Sequence, residues 1–446
     1  MSEVNQIRPR AFAIGFHNLA TWSVAAQFAV NWSWPDEIIK PLGRILERRN
    51  EPALDSLSPE TMVTLLTIRF DGSIEPREPV RIKDIKGKLF RVYPGDVVFS
   101  KIDVRNGAIG LAPDDIEYMC VTSEFPVYSV NKDKAIPAYV KLLFRTEAFK
   151  QILNSMISGT SGRKRIQPSQ LEGVKVPVPS KPVQRNISVH WDEAQKRRLV
   201  AEQALDDLVA ELHLHLVKKT KAFNTVTRSK VFLANYETMQ QWDLKAGRAS
   251  AFITANPDFV RLGDFTEECT ETIRPWEEPE KLWPIYGVNN KNGVFLSADQ
   301  AGKEFNAPYK KIEKDWFFHN PTRANVGSLG IVPQVPSEAI TSPEYQVWRL
   351  RKNILPGFMA VLLRTEYFLA LVSFNRVGGV KQRMYYANLA EIRLPKVPDE
   401  MQKYYAEQRN TVLENMAHAN ETLILRKHEI EQMILGTHPV EAQQNV

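Results

Sequence analysis

The stretch Pro137-Ala-Tyr-Val-Lys-Leu-Leu-Phe-Arg-Thr-Glu-Ala-Phe149 returns 219 residues later as Pro356-Gly-Phe-Met-Ala-Val-Leu-Leu-Arg-Thr-Glu-Tyr-Phe368. Arg145-Thr146-Glu147 stays in register with Arg364-Thr365-Glu366, and nearly the same offset works outward in both directions. Upstream, Asp96-Val-Val-Phe-Ser100 meets Asp315-Trp-Phe-Phe-His319, Gly110-Leu-Ala-Pro113 meets Gly330-Ile-Val-Pro333, and Leu42-Gly43 meets Leu262-Gly263. Downstream, Gly159 meets Gly378, and Leu171 through Pro177 meets Leu389 through Pro395. So many matches in one order, at a period far above the roughly 20–50 residues of a solenoid, mean a duplicated domain.

Each copy follows one plan. Short apolar stretches such as Met62-Val-Thr-Leu-Leu-Thr-Ile68 and Asp96-Val-Val-Phe99 are cut by Asp71-Gly72 and Pro94-Gly95, which reads as strands and turns. A helix is predicted over 137–157. A polar, glycine-containing loop follows (Gly159 to Arg165, and Gly378 to Arg383), and a proline-punctuated strand closes the copy at Val174–Pro179 or Ile392–Pro395. Each copy is therefore expected to be a mixed α/β (α+β) globule.

Behind each copy lies a long helix. No Gly or Pro occurs between Pro182 and Gly247, and Ile187, Trp191, Ala194, Ala201, Leu205, Leu208 and Leu212 fall on alternating four- and three-residue steps, broken only at Arg198. After Pro398 the pattern recurs with Met401, Tyr405, Val412, Met416, Ala419, Leu423, Ile430 and Met433, and stops at Gly436. A sustained four–three seam on a charged helix predicts helix–helix packing of the coiled-coil kind. At 1.5 Å per residue, about 35 residues would reach roughly 50 Å. Each helix needs a partner for its seam, and the other helix is the simplest one. Two globules related by a pseudo-two-fold axis would make the pair antiparallel and place it between them. The alternative is that each helix packs on its own globule. The expected division is a first globule at 1–182, a helix at 183–222, a second globule at 223–398, a helix at 399–436 and a tail at 437–446.

Composition excludes several classes. Of the 446 residues, 43 % are hydrophobic and 25 % charged, which is ordinary for a globular protein and unlike a disordered or collagenous chain. The net charge of +6 permits nucleic-acid binding without requiring it. Cys120 and Cys269 form no CxxC pair and no disulfide framework, as in a reducing cytoplasm. The N-terminal stretch Ala11 to Val30 is interrupted by His17, Asn18, Thr21 and Gln27 and lacks a small-residue cleavage site, so it reads as the start of a folded domain. Neither GxxxxGK[ST], HExxH nor GxSxG is present. His213 and His215 lie two apart, on different helix faces, and are expected to be structural. The chain is expected to be non-catalytic and to bind no metal.

Basic residues recur at similar places in both copies. Copy one carries Lys101 and Arg105 with Asn106, then Thr160, Ser161, Arg163, Lys164 and Arg165; copy two carries Arg323 with Asn325, then Arg376, Lys381, Gln382 and Arg383. Cations beside amides and hydroxyls suit phosphate contacts together with hydrogen bonds to base edges. These residues form the candidate DNA-binding set.

The motifs Pro94-Gly-Asp-Val-Val-Phe-Ser-Lys101, Gly159-Thr-Ser-Gly-x-x-Arg-Ile166 and Leu171-x-x-Val-x-Val-Pro-Val-Pro179, each followed by the long helix and then repeated, resemble the specificity subunit of type I restriction–modification systems. The resemblance covers almost the whole chain in order. Copy two departs from the pattern at Asp315-Trp-Phe-Phe-His319 and Gly378-Gly-Val-Lys381, and Val183-Gln184 stands where Glu-Gln is usual. The resemblance implies two target-recognition domains reading a bipartite double-stranded DNA site, held apart by antiparallel helices. It implies partners too: methyltransferase subunits, normally two, and an ATP-dependent restriction (translocase) subunit. S-adenosylmethionine, Mg²⁺ and ATP would then belong to those partners and not to this chain. Leu214, Tyr404, Ile424 and Leu425, flanking the seam, would supply the methyltransferase interface. Two other readings stay open: a non-catalytic interaction scaffold with duplicated ligand-binding domains, and a stand-alone nuclease or methyltransferase.

Overall fold

The computed structural model describes residues 32–156, 165–239, 243–351, 354–378 and 381–440. The chain forms two units, one from residues up to Arg197 together with those from Asn420 onward, the other from Arg198 to Ala419.

Unit 1 contains strands β1 (Ile39–Pro41), β2 (Leu46–Arg49), β3 (Met62–Ile68), β4 (Ile74–Pro76), β5 (Val80–Arg81), β6 (Leu89–Arg91), β7 (Val97–Phe99), β8 (Ile109–Leu111), β9 (Met119–Thr122), β10 (Val127–Val130) and β11 (Lys175–Pro177). Its helices are α1 (Ala53–Ser56), α2 (Pro137–Leu143), α3 (Glu147–Ser155) and α4 (Pro168–Glu172), followed by the long α5 (Lys181–Lys219). One sheet has the order β2-β10-β7-β8, a second β4-β3-β9-β6 with β5 also on β3, and β1 pairs with β11. The run Val97-Val-Phe99 is wholly buried because β7 has a core on each face. Val97 and Phe99 enter the core built around α2 and α3, while Val98 enters the one beneath β3, as the period of two dictates.

Unit 2 opens with α6 (Phe223–Arg228) and α7 (Leu244–Ala255). Its strands are β12 (Val260–Arg261), β13 (Thr266–Glu268), β14 (Thr272–Ile273), β15 (Leu282–Asn289), β16 (Gly293–Ala301), β17 (Tyr309–Lys311), β18 (Phe317–His319), β19 (Leu329–Ile331), β20 (Ile340–Thr341), β21 (Gln346–Leu350) and β22 (Arg393–Leu394). Helices α8 (Pro356–Leu362), α9 (Glu366–Asn375) and α10 (Tyr386–Ala390) precede the second long helix, α11 (Asp399–Leu435). The sheet orders β13-β21-β18-β19 and β14-β17-β20-β15-β16, with β12 on β22, reproduce those of unit 1, except that the single β16 stands where unit 1 has β4 and β5, and β14 is an addition. Even the parallel pair recurs, β3 with β9 and β15 with β20. The two globules share one fold, as the duplication requires.

Two expectations need correction. The helix predicted over 137–157 is two helices, because Thr146 stops the first and caps the second: its hydroxyl accepts from Phe149 N at 3.1 Å. Thr365 does the same for Phe368 N at 3.1 Å. Such a cap is worth about 1 kcal/mol, enough to favour a break where the chain must turn. The pairing of Asp96 with Asp315 is also wrong by one residue. Gly95 and Asp315 both have positive φ, 77° and 65°. Each donates its N–H across the sheet, to Ala112 O and Val332 O respectively. The backbone thus aligns Gly95 with Asp315, and Val97–Phe99 with Phe317–His319.

The long helices run 39 and 37 residues. In unit 1, Ile187 near the start of α5 shares a core with Ile430, Met433 and Ile434 at the end of α11, with Trp191 packed against it. In unit 2, Leu208, Leu212 and Leu216 from the end of α5 share a core with Tyr405 near the start of α11. There the Tyr405 hydroxyl donates to Glu211 Oε1 at 3.2 Å. The helices therefore run antiparallel within each unit. Ile187, Leu208, Leu212, Tyr405 and Ile430 are buried, while Trp191, Leu205, Val412, Met416 and Leu423 are half-buried. Leu216 and Ile434, fully buried, extend the seam beyond its predicted members.

Paired side chains tie each globule to its helices. Gln184, fully buried, accepts from Ile136 N at 2.8 Å and donates to Pro179 O and Lys134 O at 2.7 and 3.0 Å. Gln402 repeats this with Leu355 N and Val397 O at 3.2 and 3.1 Å. Glu431 accepts from Glu147 N and Ala148 N at 2.8 and 3.4 Å, and His213 Nδ1 takes the bond corresponding to the second of these from Tyr367 N at 3.1 Å. That gives His213 the structural role expected of it.

Candidate nucleic-acid interface

In unit 1 the chain leaves β7 through Ser100 and Lys101 into a tight turn at Val104–Asn106, which closes on Gly107 with φ 103°. Only the absence of a side chain permits that left-handed φ here. Lys101 is held down: its ammonium donates to Ser123 O at 2.6 Å, and its carbonyl accepts from Ile166 N at 2.9 Å. The second bond brings Arg165 alongside. Arg165 pairs with Glu124 at 3.3 Å, an ion pair without hydrogen-bond geometry. Arg105 Nε has no hydrogen-bond partner among the described residues, and Asn106 beside it is exposed. Lys101, Arg105, Asn106 and Arg165 thus gather at one end of the sheet. Thr160, Ser161, Arg163 and Lys164 lie outside the described residues.

Unit 2 forms the same turn at Ala324–Val326, closed by Gly327 with φ 88°. Counting from these glycines, Arg105 aligns with Asn325 and Asp103 with Arg323, so the two basic residues are not equivalent. Arg105 and Arg323, which lie at similar places in the sequence, stand two positions apart on the turn. Met384 N donates to Pro321 O at 2.8 Å, as Ile166 N does to Lys101 O, and Arg383 consequently takes the place of Arg165. Val377 and Arg383 form a bridge that closes the loop between them. His319 Nε2 reaches Met384 O at 2.9 Å from beneath. As the carbonyl can only accept, Nε2 carries the proton. Complete burial pushes the His319 pKa down to about 4.

Arg376 and Gln382 lie on the inner side of this loop. Arg376 donates to Gln382 O at 3.1 Å, while the Gln382 side chain accepts from Lys245 on the first turn of α7. Lys245, Arg376 and Arg393, with Asp243 and Glu391, line a polar cavity of about 200 Å³. Burial lowers the pKa of Lys245, and the nearby Arg376 adds to this; burial lowers that of Arg376 as well. An anion entering the cavity would offset the repulsion between Lys245 and Arg376, while Asp243 and Glu391 on the same wall would oppose it. Lys381 projects into solvent, and the Arg383 guanidinium, bonded to Tyr385, has a raised pKa. Sequence reasoning missed Lys245 and Arg393. Lys245 stands 137 residues from Gln382, and only the Asp243 helix cap marked its position.

Among the described residues no group of three or more His, Cys, Asp and Glu is placed to hold a metal ion. Cys120 and Cys269 are both buried, which raises each thiol to about 11 and makes it a poor nucleophile. No single helix among the described residues is long and apolar enough to cross a membrane.

No protein-family model matches the chain, and no curated protein does. Solved structures do. One comes from work on complex assembly and conformational transition of the type I R-M system, at 16 % identity and a TM-score of 0.41, covering 90 % of this chain and 96 % of that one. The HsdS subunit from Thermoanaerobacter tengcongensis is similar at 17 % identity and a TM-score of 0.32, over 89 % and 96 % of the two chains. The type I restriction–modification S subunit from M. genitalium is similar at 12 % identity and a TM-score of 0.45, over 92 % and 96 %. The fold assignment stands on the two matching sets of sheets within the chain itself.

Proposed function

We propose that this chain is the DNA-specificity subunit of a type I restriction–modification system, reading a bipartite duplex with one half-site per unit. The observation that carries the reading is a repeated scaffold with unrepeated contacts. Both units keep the same sheet order and the same glycine-closed turn, but Arg105-Asn106 in one stands opposite Asn325-Val326 in the other. Two equal scaffolds with unequal chemistry suit a target whose halves differ. Phosphate contacts would come from Lys101, Arg165, Lys245, Arg376, Lys381 and Arg383, and base contacts from Arg105, Asn106, Arg323 and Asn325.

The chain would act in the cytoplasm, without a catalytic centre of its own. Methylation and cleavage would belong to two methyltransferase subunits and a restriction subunit, which would bring S-adenosylmethionine, Mg²⁺ and ATP. Leu199, Val200 and Leu214 in unit 2, and Ile424 and Leu425 in unit 1, are each more than half exposed and would offer the methyltransferase apolar contacts.

Duplex affinity measured against salt tests the reading. With about six phosphates neutralised, log K should fall with log salt at a slope near −5. A slope near zero, or turnover of DNA by the purified chain alone, would refute it.

A further inference from the structure

In both units a β-hairpin tip sits directly on the glycine-closed turn. In unit 1 it is Arg69-Phe70-Asp71-Gly72-Ser73, between β3 and β4, closed by Gly72 N to Arg69 O at 3.0 Å and Arg69 N to Ser73 O at 2.9 Å. A Cβ on Gly107 would collide with the Phe70 carbonyl oxygen, and one on Gly110 with that of Gly72. Arg145 locks the junction from below: it donates to Gly107 O at 3.0 Å and to Ile109 O, and a Cβ on Gly72 would strike its guanidinium. Phe70 is 60 % exposed at the summit, next to Arg105 and Asn106.

Unit 2 repeats the contact with different chemistry. Its tip runs Asn289-Asn290-Lys291-Asn292-Gly293 between β15 and β16, and a Cβ on Gly327 would meet that of Asn290. Asn290, Lys291 and Asn292 are exposed. The Asn289 carboxamide accepts from Asn292 N at 2.7 Å and shapes the turn. Arg364, the counterpart of Arg145, turns instead toward Asp206 on α5, at 3.8 Å. A longer hairpin can do without the lock: β15 and β16 pair over eight positions, whereas β3 and β4 pair over three.

We infer that the two hairpin tips are specificity-determining elements: Phe70 meets an apolar base edge, such as a thymine methyl, and Asn290 and Asn292 hydrogen-bond the edge of a base in the other half-site. This deepens the DNA-reading role and rests on it. An aromatic ring left in water at a hairpin summit gains by covering a methyl group. A carboxamide offers one donor and one acceptor in a plane, the pattern that adenine complements in the major groove. Arg145 touches no base in this scheme. It positions the Phe70 tip against the Arg105 turn.

The test is selection of bound sequences from a random duplex library by the full chain, purified with whatever subunits accompany it. Wild type should enrich a bipartite site. Phe70→Ala should lose roughly tenfold discrimination at one or two base pairs of one half, leaving the other half unchanged. Asn290→Ala with Asn292→Ala should do the reverse. Arg145→Gln should degrade the Phe70 half across several positions, and Arg145→Lys should restore part of the loss. Phe70, Asn290 and Asn292 are exposed, so unchanged melting of their variants separates reading from folding. A bipartite wild-type site that both tip variants keep in full would overturn the inference while leaving the role intact. A wild type that enriches no sequence would overturn both.

Discussion

Replacing Gln184 by Leu keeps nearly the same volume but removes the buried carboxamide that joins the first turn of α5 to the rest of unit 1. Three partners are stranded: the Ile136 N–H, the Lys134 carbonyl and the Pro179 carbonyl. A buried polar group without a partner costs about 1–3 kcal/mol. Pro179 O is fully enclosed and should cost about 2 kcal/mol. The other two bonds are partly open to water and should cost about 0.5–1 kcal/mol each, for a total of about 3–4 kcal/mol. Gln402→Leu strands only two partners, both partly accessible, and should cost about 1–2 kcal/mol. Urea-dependent hydrogen exchange read by mass spectrometry follows the two units separately. With an m value of about 3 kcal/mol per molar, Gln184→Leu should lower the unit 1 midpoint by about 1 M, and Gln402→Leu should lower that of unit 2 by about half as much. A Gln184→Leu midpoint within about 0.2 M of wild type, or a larger effect at Gln402 than at Gln184, would refute the reasoning.

Leu212→Ala removes a fully buried seam residue and should cost about 3–5 kcal/mol, whereas Leu199→Ala, on an exposed face, should stay within about 0.5 kcal/mol; denaturation midpoints compare them directly. His319 supplies a pH dependence. Its folded pKa of about 4 lies below the ordinary 6.5, so between those values the unfolded chain binds the extra proton. Stability from this site should be full above pH 6.5 and decline by about 3 kcal/mol as pH falls toward 4; His319→Gln should flatten that part of the unfolding profile, and an unaltered slope would count against it.

The duplication was legible because the repeated residues do the same work twice. Thr146 and Thr365 cap a helix, Gln184 and Gln402 bind a helix start, and Leu42 and Leu262 are fully buried at matching strand ends. What spacing could not show is conformation. Asp96 and Asp315 look equivalent as letters, yet the left-handed position holds Gly95 in one unit and Asp315 in the other, since Asp tolerates positive φ better than most residues. On the turns themselves Arg323 stands opposite Asp103 and Asn325 opposite Arg105, so the two basic turns are not equivalent. The helix break at Thr146 was readable in principle as a capping threonine, but the flanking apolar residues masked it with an unbroken helical pattern. Lys245 and Phe70 were illegible because contacts between segments far apart in sequence bring them beside Gln382 and the Gly107 turn.

These contrasts divide the molecule by the kind of constraint each residue carries. Gly107 must lack a side chain so that a hairpin can seat on the turn, and there the seating is made by the main chain of Phe70; Gly327 meets the Cβ and Cα of Asn290, atoms that every residue but glycine carries. A contact made by backbone leaves the side chains at the tip free to differ. Phe70 can therefore stand where the other unit has Asn290 without disturbing a sheet, a cap or a core, all of which are built from other residues. Under the DNA-reading role, the same separation lets one scaffold serve two unlike half-sites. Change is cheapest where the chain meets solvent and would meet a base, and dearest at Gln184, Thr146 and Ile187, where globule and helix are joined.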